Sequence, residues 1–150
     1  MTAVYFEDFA IGQKFGSARL RLEAADMKSF AADYDPEPFH LDEAAAARNP
    51  LFGGLTASGW HTASVTMRLL VASELKPAGG IIGLGAEEIR WPRPVRPGDE
   101  LHVETEILAV RASSSRPDSG LVTLRTTTFN QHNEPVQLLV STLIVPRRPV

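Results

Sequence analysis

The stretch that most constrains the fold runs from about Ser58 to Leu75. Trp60, Ala63, Val65, Met67, Leu69, Leu70, Val71, Ala72 and Leu75 place apolar groups on most sides of any helix built from it. Such a helix is buried rather than laid on a surface, so the rest of the chain must cover it. It is also the longest helix the sequence supports. After Lys76-Pro77-Ala78-Gly79-Gly80 the character changes to four strand candidates, Ile81 to Trp91, Leu101 to Val110, Leu121 to Asn130 and Val136 to Val145. The connections at 92–99, 113–120 and 131–134 are rich in Pro, Gly, Ser and Asn and short enough for an antiparallel meander. Leu101, Val103, Thr105 and Ile107 share one face, as do Val136, Leu138, Val140 and Ile144, while Leu139, Leu143 and Val145 keep the last strand's other face apolar. One face can cover the helix; the other suggests a partner. Helices followed by a run of strands, without βαβ repeats, predict an α+β fold in which an antiparallel β-sheet wraps a long central α-helix.

Upstream, Met27, Phe30, Ala31 and Tyr34 fall at i, i+3, i+4 and i+7, which predicts an amphipathic helix from Ala24 to Tyr34. Pro36 and Pro38 end it, because each disfavours helical geometry in the residue before it. Glu23 is a poor cap for its start. Leu41 to Arg48 reads as a two-turn helix stopped by Asn49-Pro50, and Phe15 to Leu22 as a short strand. No repeat or linker interrupts the 150 residues, 43% of them hydrophobic, so residues 1–150 are expected to form a single domain. The absence of cysteine excludes disulfides, thiolate metal sites and cysteine nucleophiles. A net charge of -3 argues against a nucleic-acid partner. No apolar run is long enough for a bilayer, and Glu7 and Asp8 stand where a signal peptide would carry lysine, so no membrane role and a cytoplasmic location are expected.

Chemistry concentrates in Tyr34-Asp35-Pro36-Glu37-Pro38-Phe39-His40 and Ala57-Ser58-Gly59-Trp60-His61. Two prolines stiffen the segment between Asp35 and His40, so both side chains can project into one cavity at modest entropic cost. A carboxylate and an imidazole so placed can orient and deprotonate a water. The same spacing also suits a helix-stop turn in which Asp35 caps backbone amides and His40 is simply satisfied. Gly59 falls at the start of the apolar helix, where free amides can stabilise charge on a carbonyl oxygen. Ser58 as an ordinary N-cap and Gly59 as a packing residue is the alternative. His61 lies on the helix surface or lines a cavity, and His102 and His132 face solvent. No histidine pair has metal-site spacing, so no metal is expected. Gly83 and Gly85 mark a bulge or a close approach to the helix. Arg90, Arg93 and Arg96 are read as a solvated turn or as contacts to substrate phosphates, and Arg147-Arg148 as a solvated tail.

Tyr-Asp-Pro-Glu-Pro-Phe-His at 34–40, Phe-Gly-Gly-Leu-Thr-Ala-Ser-Gly-Trp-His at 52–61 and Arg-Trp-Pro-Arg-Pro-Val-Arg-Pro-Gly-Asp at 90–99 together resemble the MaoC-like dehydratases, which include the R-specific enoyl-CoA hydratases. The resemblance implies a hot-dog fold, a homodimer or higher homo-oligomer, and reversible syn hydration of a trans-2-enoyl-CoA to a 3-hydroxyacyl-CoA. Coenzyme A then enters as part of the substrate, with no separate cofactor. Asp35 and His40 match the family's catalytic pair, and Gly59 matches the glycine whose amide holds the thioester oxygen. Ser58, Pro38 and Phe39 are assigned with Gly59 to substrate binding. Two positions depart from the pattern: Glu37 replaces an asparagine, and Met67 stands where some hydratases carry a serine that supports the aspartate. Ser64 and Thr66 are the possible substitutes for that serine. A thioesterase on the same fold and a non-catalytic acyl-thioester-binding subunit are the alternatives.

Overall fold

The computed structural model describes residues 3–150, so residues 1 and 2 of the expected 1–150 domain lie outside it. Four α-helices lie between two short N-terminal strands and the long ones: α1 (Ala24–Tyr34), α2 (Pro38–Leu41), α3 (Glu43–Arg48) and α4 (Gly59–Val71). Six strands among the described residues are β1 (Lys14–Gly16), β2 (Leu20–Arg21), β3 (Gly83–Arg90), β4 (Glu100–Ala112), β5 (Ser119–Phe129) and β6 (Pro135–Pro146). The α+β layout read from the sequence is present.

The sheet order is β1-β4-β5-β6-β3, every pair antiparallel, with β2 also on β4. The meander therefore holds only from β4 to β6. β3 pairs with β6 at the far end, so the connection after Arg90 crosses the layer instead of turning back. Position 15 to 22 is two short strands rather than one, because residues 17–19 leave the ladder between them. Asn133 takes φ 57° in the β5–β6 turn, a left-handed conformation that asparagine tolerates. The register shift between Gly83 and Gly85 is the bulge those glycines suggested.

Leu101, Val103, Thr105 and Ile107 are all buried, as expected of the inner face of β4. On β6 the inner set differs from the expected one. Gln137, Leu143 and Val145 are buried, while Leu138, Val140 and Ile144 lie on the half-covered outer face. A register shift near Pro135 changes the parity of the strand after Val136, an effect no alternation count reveals.

α4 is the longest helix among the described residues, and it packs its Val65, Leu69 and Leu70 on the inner face of the sheet. It stops at Val71, short of Leu75, because the Ser73 hydroxyl donates to the Leu70 carbonyl and accepts from the Leu75 amide. Nor is it covered all round: Trp60, Met67 and Val71 are exposed along its other side. α1 has the expected bounds, and Met27 and Ala31 are buried, but Tyr34 is 73% exposed. Two separate helical pieces replace the expected single helix from Leu41. Pro38 fits the first position of α2, where its missing N–H costs nothing, and Asp42 caps α3 by accepting from the Ala44 amide.

The tail is not merely solvated. Arg148 donates to both Asp8 carboxylate oxygens and its amide donates to Glu7 Oε1, while Arg147 lies over the Phe6 ring. Phe6 in turn fills the space above Gly120, where any Cβ would overlap the ring. The Tyr5 amide, and then Arg148, hold the Asp8 carboxyl below its ordinary value. A carboxyl lowered by folding contributes stability that is present above its unfolded value and is lost as pH falls through its folded value. The clamp should therefore open on acidification below about pH 4. Arg148→Ala should flatten the melting temperature's dependence on pH in that range. An acid limb identical to the wild type would show that the clamp contributes nothing.

Candidate active site

Three elements converge on one cavity of about 330 Å³. Asp35 comes from the C-cap of α1, His40 from α2, and Gly59 from the first position of α4. Trp91, Arg93, Pro94 and Val95 close it from the connection between β3 and β4. His40 is buried, its Nδ1 is 2.6 Å from the Thr56 carbonyl oxygen, and its Nε2 is 3.3 Å from Asp35 Oδ2. A carbonyl oxygen only accepts, so Nδ1 carries a hydrogen in either charge state of the ring. Nε2 is thereby left to exchange a proton across the contact with Asp35. On the helix-stop reading Asp35 caps backbone amides; instead its own amide donates to the Ala31 carbonyl at the end of α1, and its carboxylate faces the histidine.

The start of α4 is built by Ser58, whose side chain accepts from the Trp60 amide while its carbonyl takes the His61 and Thr62 amides. The Gly59 amide is among the first in the helix and has no acceptor one turn earlier. With the helix dipole it is a ready donor to an anionic oxygen. The glycine is a packing residue too, though its partner is Trp91 rather than Trp60. A Cβ at Gly59 would come within 2.7 Å of Trp91 Cε2. Asp35, His40 and Gly59 thus share a cavity. Ser58, Pro38 and Phe39 are not among its lining residues. Ser58 is the cap, Pro38 starts α2, and Phe39 packs against Phe52 at 5.0 Å behind the histidine.

Glu37 is exposed and is not among the residues that line the cavity. Met67 does not reach Asp35 either. It lines a second cavity, of about 290 Å³, with Gly83, Gly85, Ala86 and Leu139. Ser64 donates to the Trp60 carbonyl and Thr66 is 2.6 Å from the Thr128 hydroxyl, so neither replaces the missing serine.

The three arginines separate by role. Arg96 donates to the carbonyls of Phe52, Gly54 and Leu55, which makes it a staple for the turn that precedes α4. Arg93 pairs with Glu134 at 3.3 Å beside the cavity, and Arg90 pairs with Glu88 away from it. His61 is buried rather than surface-lying, stacked on Phe30 at 4.6 Å with its Nδ1 unpartnered. Burial lowers its pKa, against a smaller opposing pull from Asp26. His102 is on the outer face as expected but half-buried, stacked on Phe129 at 5.4 Å, and burial lowers its pKa too. Thr56 and Trp91 carried no functional expectation. A backbone acceptor has no sequence signature, and a tryptophan before a proline reads as a strand end.

The antiparallel sheet packed on α4 is a hot-dog fold. The fold is shared with RV0216 of Mycobacterium tuberculosis, a double hotdog fold, at TM-score 0.78 and 22% identity over 98% of this chain and 45% of that one. The MaoC like domain model matches residues 7–129, and the chain belongs to that family. A crystal structure of the MaoC-like dehydratase from Rhodospirillum rubrum superposes with TM-score 0.94 and 57% identity, covering 99% of this chain and 100% of that one. The unliganded R-hydratase PhaJ1 from Pseudomonas aeruginosa matches with TM-score 0.76 and 28% identity, over 97% and 88% of the two chains.

Proposed function

We propose that this chain is an enoyl-CoA hydratase that reversibly adds water, syn, across the double bond of a trans-2-enoyl-CoA to give a 3-hydroxyacyl-CoA. The observation that carries the reading is the His40 ring, tied through Nδ1 to Thr56 and facing Asp35 through Nε2, in the cavity that the start of α4 lines. The working state is an Asp35 carboxylate beside a protonated His40. Asp35 takes a proton from water as its oxygen bonds to C3, and His40 Nε2 gives its proton to C2. The Gly59 amide holds the negative charge that grows on the thioester oxygen between those events. Transfer of the proton from Asp35 to Nε2 across the pair restores the starting state. Addition from one side follows from both groups lining one wall, and the chemistry uses only the chain's own groups, with coenzyme A as part of the substrate.

Crotonyl-CoA is the test substrate, with enoyl absorbance and free thiol followed together. Loss of absorbance without thiol is expected. Thiol release would replace the reading with a thioesterase, and binding with neither change would leave a thioester-binding subunit.

The same reading includes a homodimer in the cytoplasm. β3 is at the end of the sheet order, its Leu84 is exposed, and exposed Met67 and the β3 residues Gly83, Gly85 and Ala86 line one cavity. An unpaired edge with apolar neighbours is a surface that a second copy would cover. Light scattering should give twice the 16.3 kDa chain mass, and Leu84→Lys should lower it; a monomeric wild type would refute the dimer.

A further inference from the structure

Trp91 is held by a chain of buried polar groups. Its indole N–H donates to Gln137 Oε1 at 2.9 Å, Gln137 Nε2 donates to Thr66 Oγ1 at 3.2 Å, and the Thr66 and Thr128 hydroxyls are 2.6 Å apart. Gln137 and Thr128 are 0% exposed and Thr66 is 1% exposed. A primary amide at that depth is costly unless both of its ends are bonded, and here both are. The bonds also have a direction. The amide oxygen accepts from the indole and its nitrogen donates to Thr66, which leaves the Thr66 proton for Thr128. The chain therefore fixes the ring.

The fixed ring lies on Gly59, close enough that a Cβ there would be 2.7 Å from Cε2 and 2.9 Å from Cδ2 and Cζ2. Trp60 meets it edge-on, at 5.2 Å between centroids and 82° between planes. Trp91 is 39% exposed, it lines the cavity, and its single polar atom is already used. What it offers to the cavity is a flat carbon surface beside the amide that opens α4.

We infer that Trp91 determines specificity for the acyl group: it closes the space beside the Gly59 amide to long acyl chains, and a short, planar enoyl thioester lies against its face. The inference rests on the hydratase reading for the position of the thioester. Its range of ligands is the coenzyme A thioesters of short linear acids, with Trp91 as a wall and Gln137 as the residue that positions it.

Saturated thioesters test this without turnover. Dissociation constants for butyryl-CoA and octanoyl-CoA are measured by calorimetry on the wild type, Trp91→Ala and Trp91→Leu, with melting curves as a check on folding. Leucine keeps more of the apolar contact and guards against loss of the alanine variant. The ratio of the two constants should shift toward octanoyl-CoA by about tenfold or more in each folded variant. A purely structural role would weaken both ligands together and leave the ratio unchanged, which overturns the inference. So does a wild type that binds neither thioester. A wild type that shows the ratio shift on mutation but does not hydrate crotonyl-CoA would end the hydratase reading while leaving the role of Trp91 in place.

Discussion

Replacing Asp35 by asparagine should lower kcat on crotonyl-CoA by about 10²–10⁴-fold, the range set by loss of one acid–base group. The asparagine is close to isosteric and its amide oxygen can accept from a protonated His40 Nε2, so the 3.3 Å contact is kept while the proton acceptor is lost. KM should change little, because the substrate's binding surfaces are untouched. His40→Ala should lose a similar factor, and it also leaves the Thr56 carbonyl without its 2.6 Å partner. The two losses should not add, since the residues hand one proton between them. Stopped assays on both single variants and the double variant decide the matter. Turnover by Asp35→Asn near the wild-type rate would remove the pair from the mechanism.

Gly59→Ala should be the next most damaging change, on stability and turnover together. The new methyl group must share space with Trp91, whose Cε2 would be 2.7 Å away, and the ring cannot swing aside without leaving Gln137 Oε1. Overpacking of this kind costs about 1–3 kcal/mol. Alanine's better helix propensity offsets less than about 1 kcal/mol of that. Displacing the first turn of α4 also moves the amide proposed to hold the thioester oxygen, and loss of one such donor costs about 10²–10³-fold in kcat. Melting curves separate the two effects: adding Trp91→Ala to Gly59→Ala should restore much of the stability. A Gly59→Ala variant that melts and turns over like the wild type would refute both the clash and the role of the amide.

The parts of this arrangement that were legible in the sequence are those set by neighbours along the chain. α1 has the expected bounds because Pro36 and the i, i+3, i+4 pattern are local constraints. The α4 start was legible through Ser58, which caps it as serine before a helix commonly does. The four long strands were found within one or two residues of their ends for the same reason. What failed depended on distant contacts. The expected tail is a clamp because Arg148 meets Asp8, 140 residues away along the chain. The expected phosphate or turn arginine is a staple because Arg96 meets Phe52, 44 residues earlier.

By itself, then, the sequence determined the α+β layout, the stiff segment that brings Asp35 near His40, and the glycine that opens α4. These follow from backbone preference and side-chain periodicity, which act over a few residues. Tertiary structure alone decided that β3 crosses to β6, that the inner face of β6 shifts after a register change, and that α4 is covered on one side only. It alone set the tautomer of His40, through a backbone carbonyl that no residue type announces. It alone placed Trp91 on Gly59, held by a glutamine 46 residues further along. Packing and hydrogen bonding act through space, and a linear pattern carries no record of which distant groups will meet.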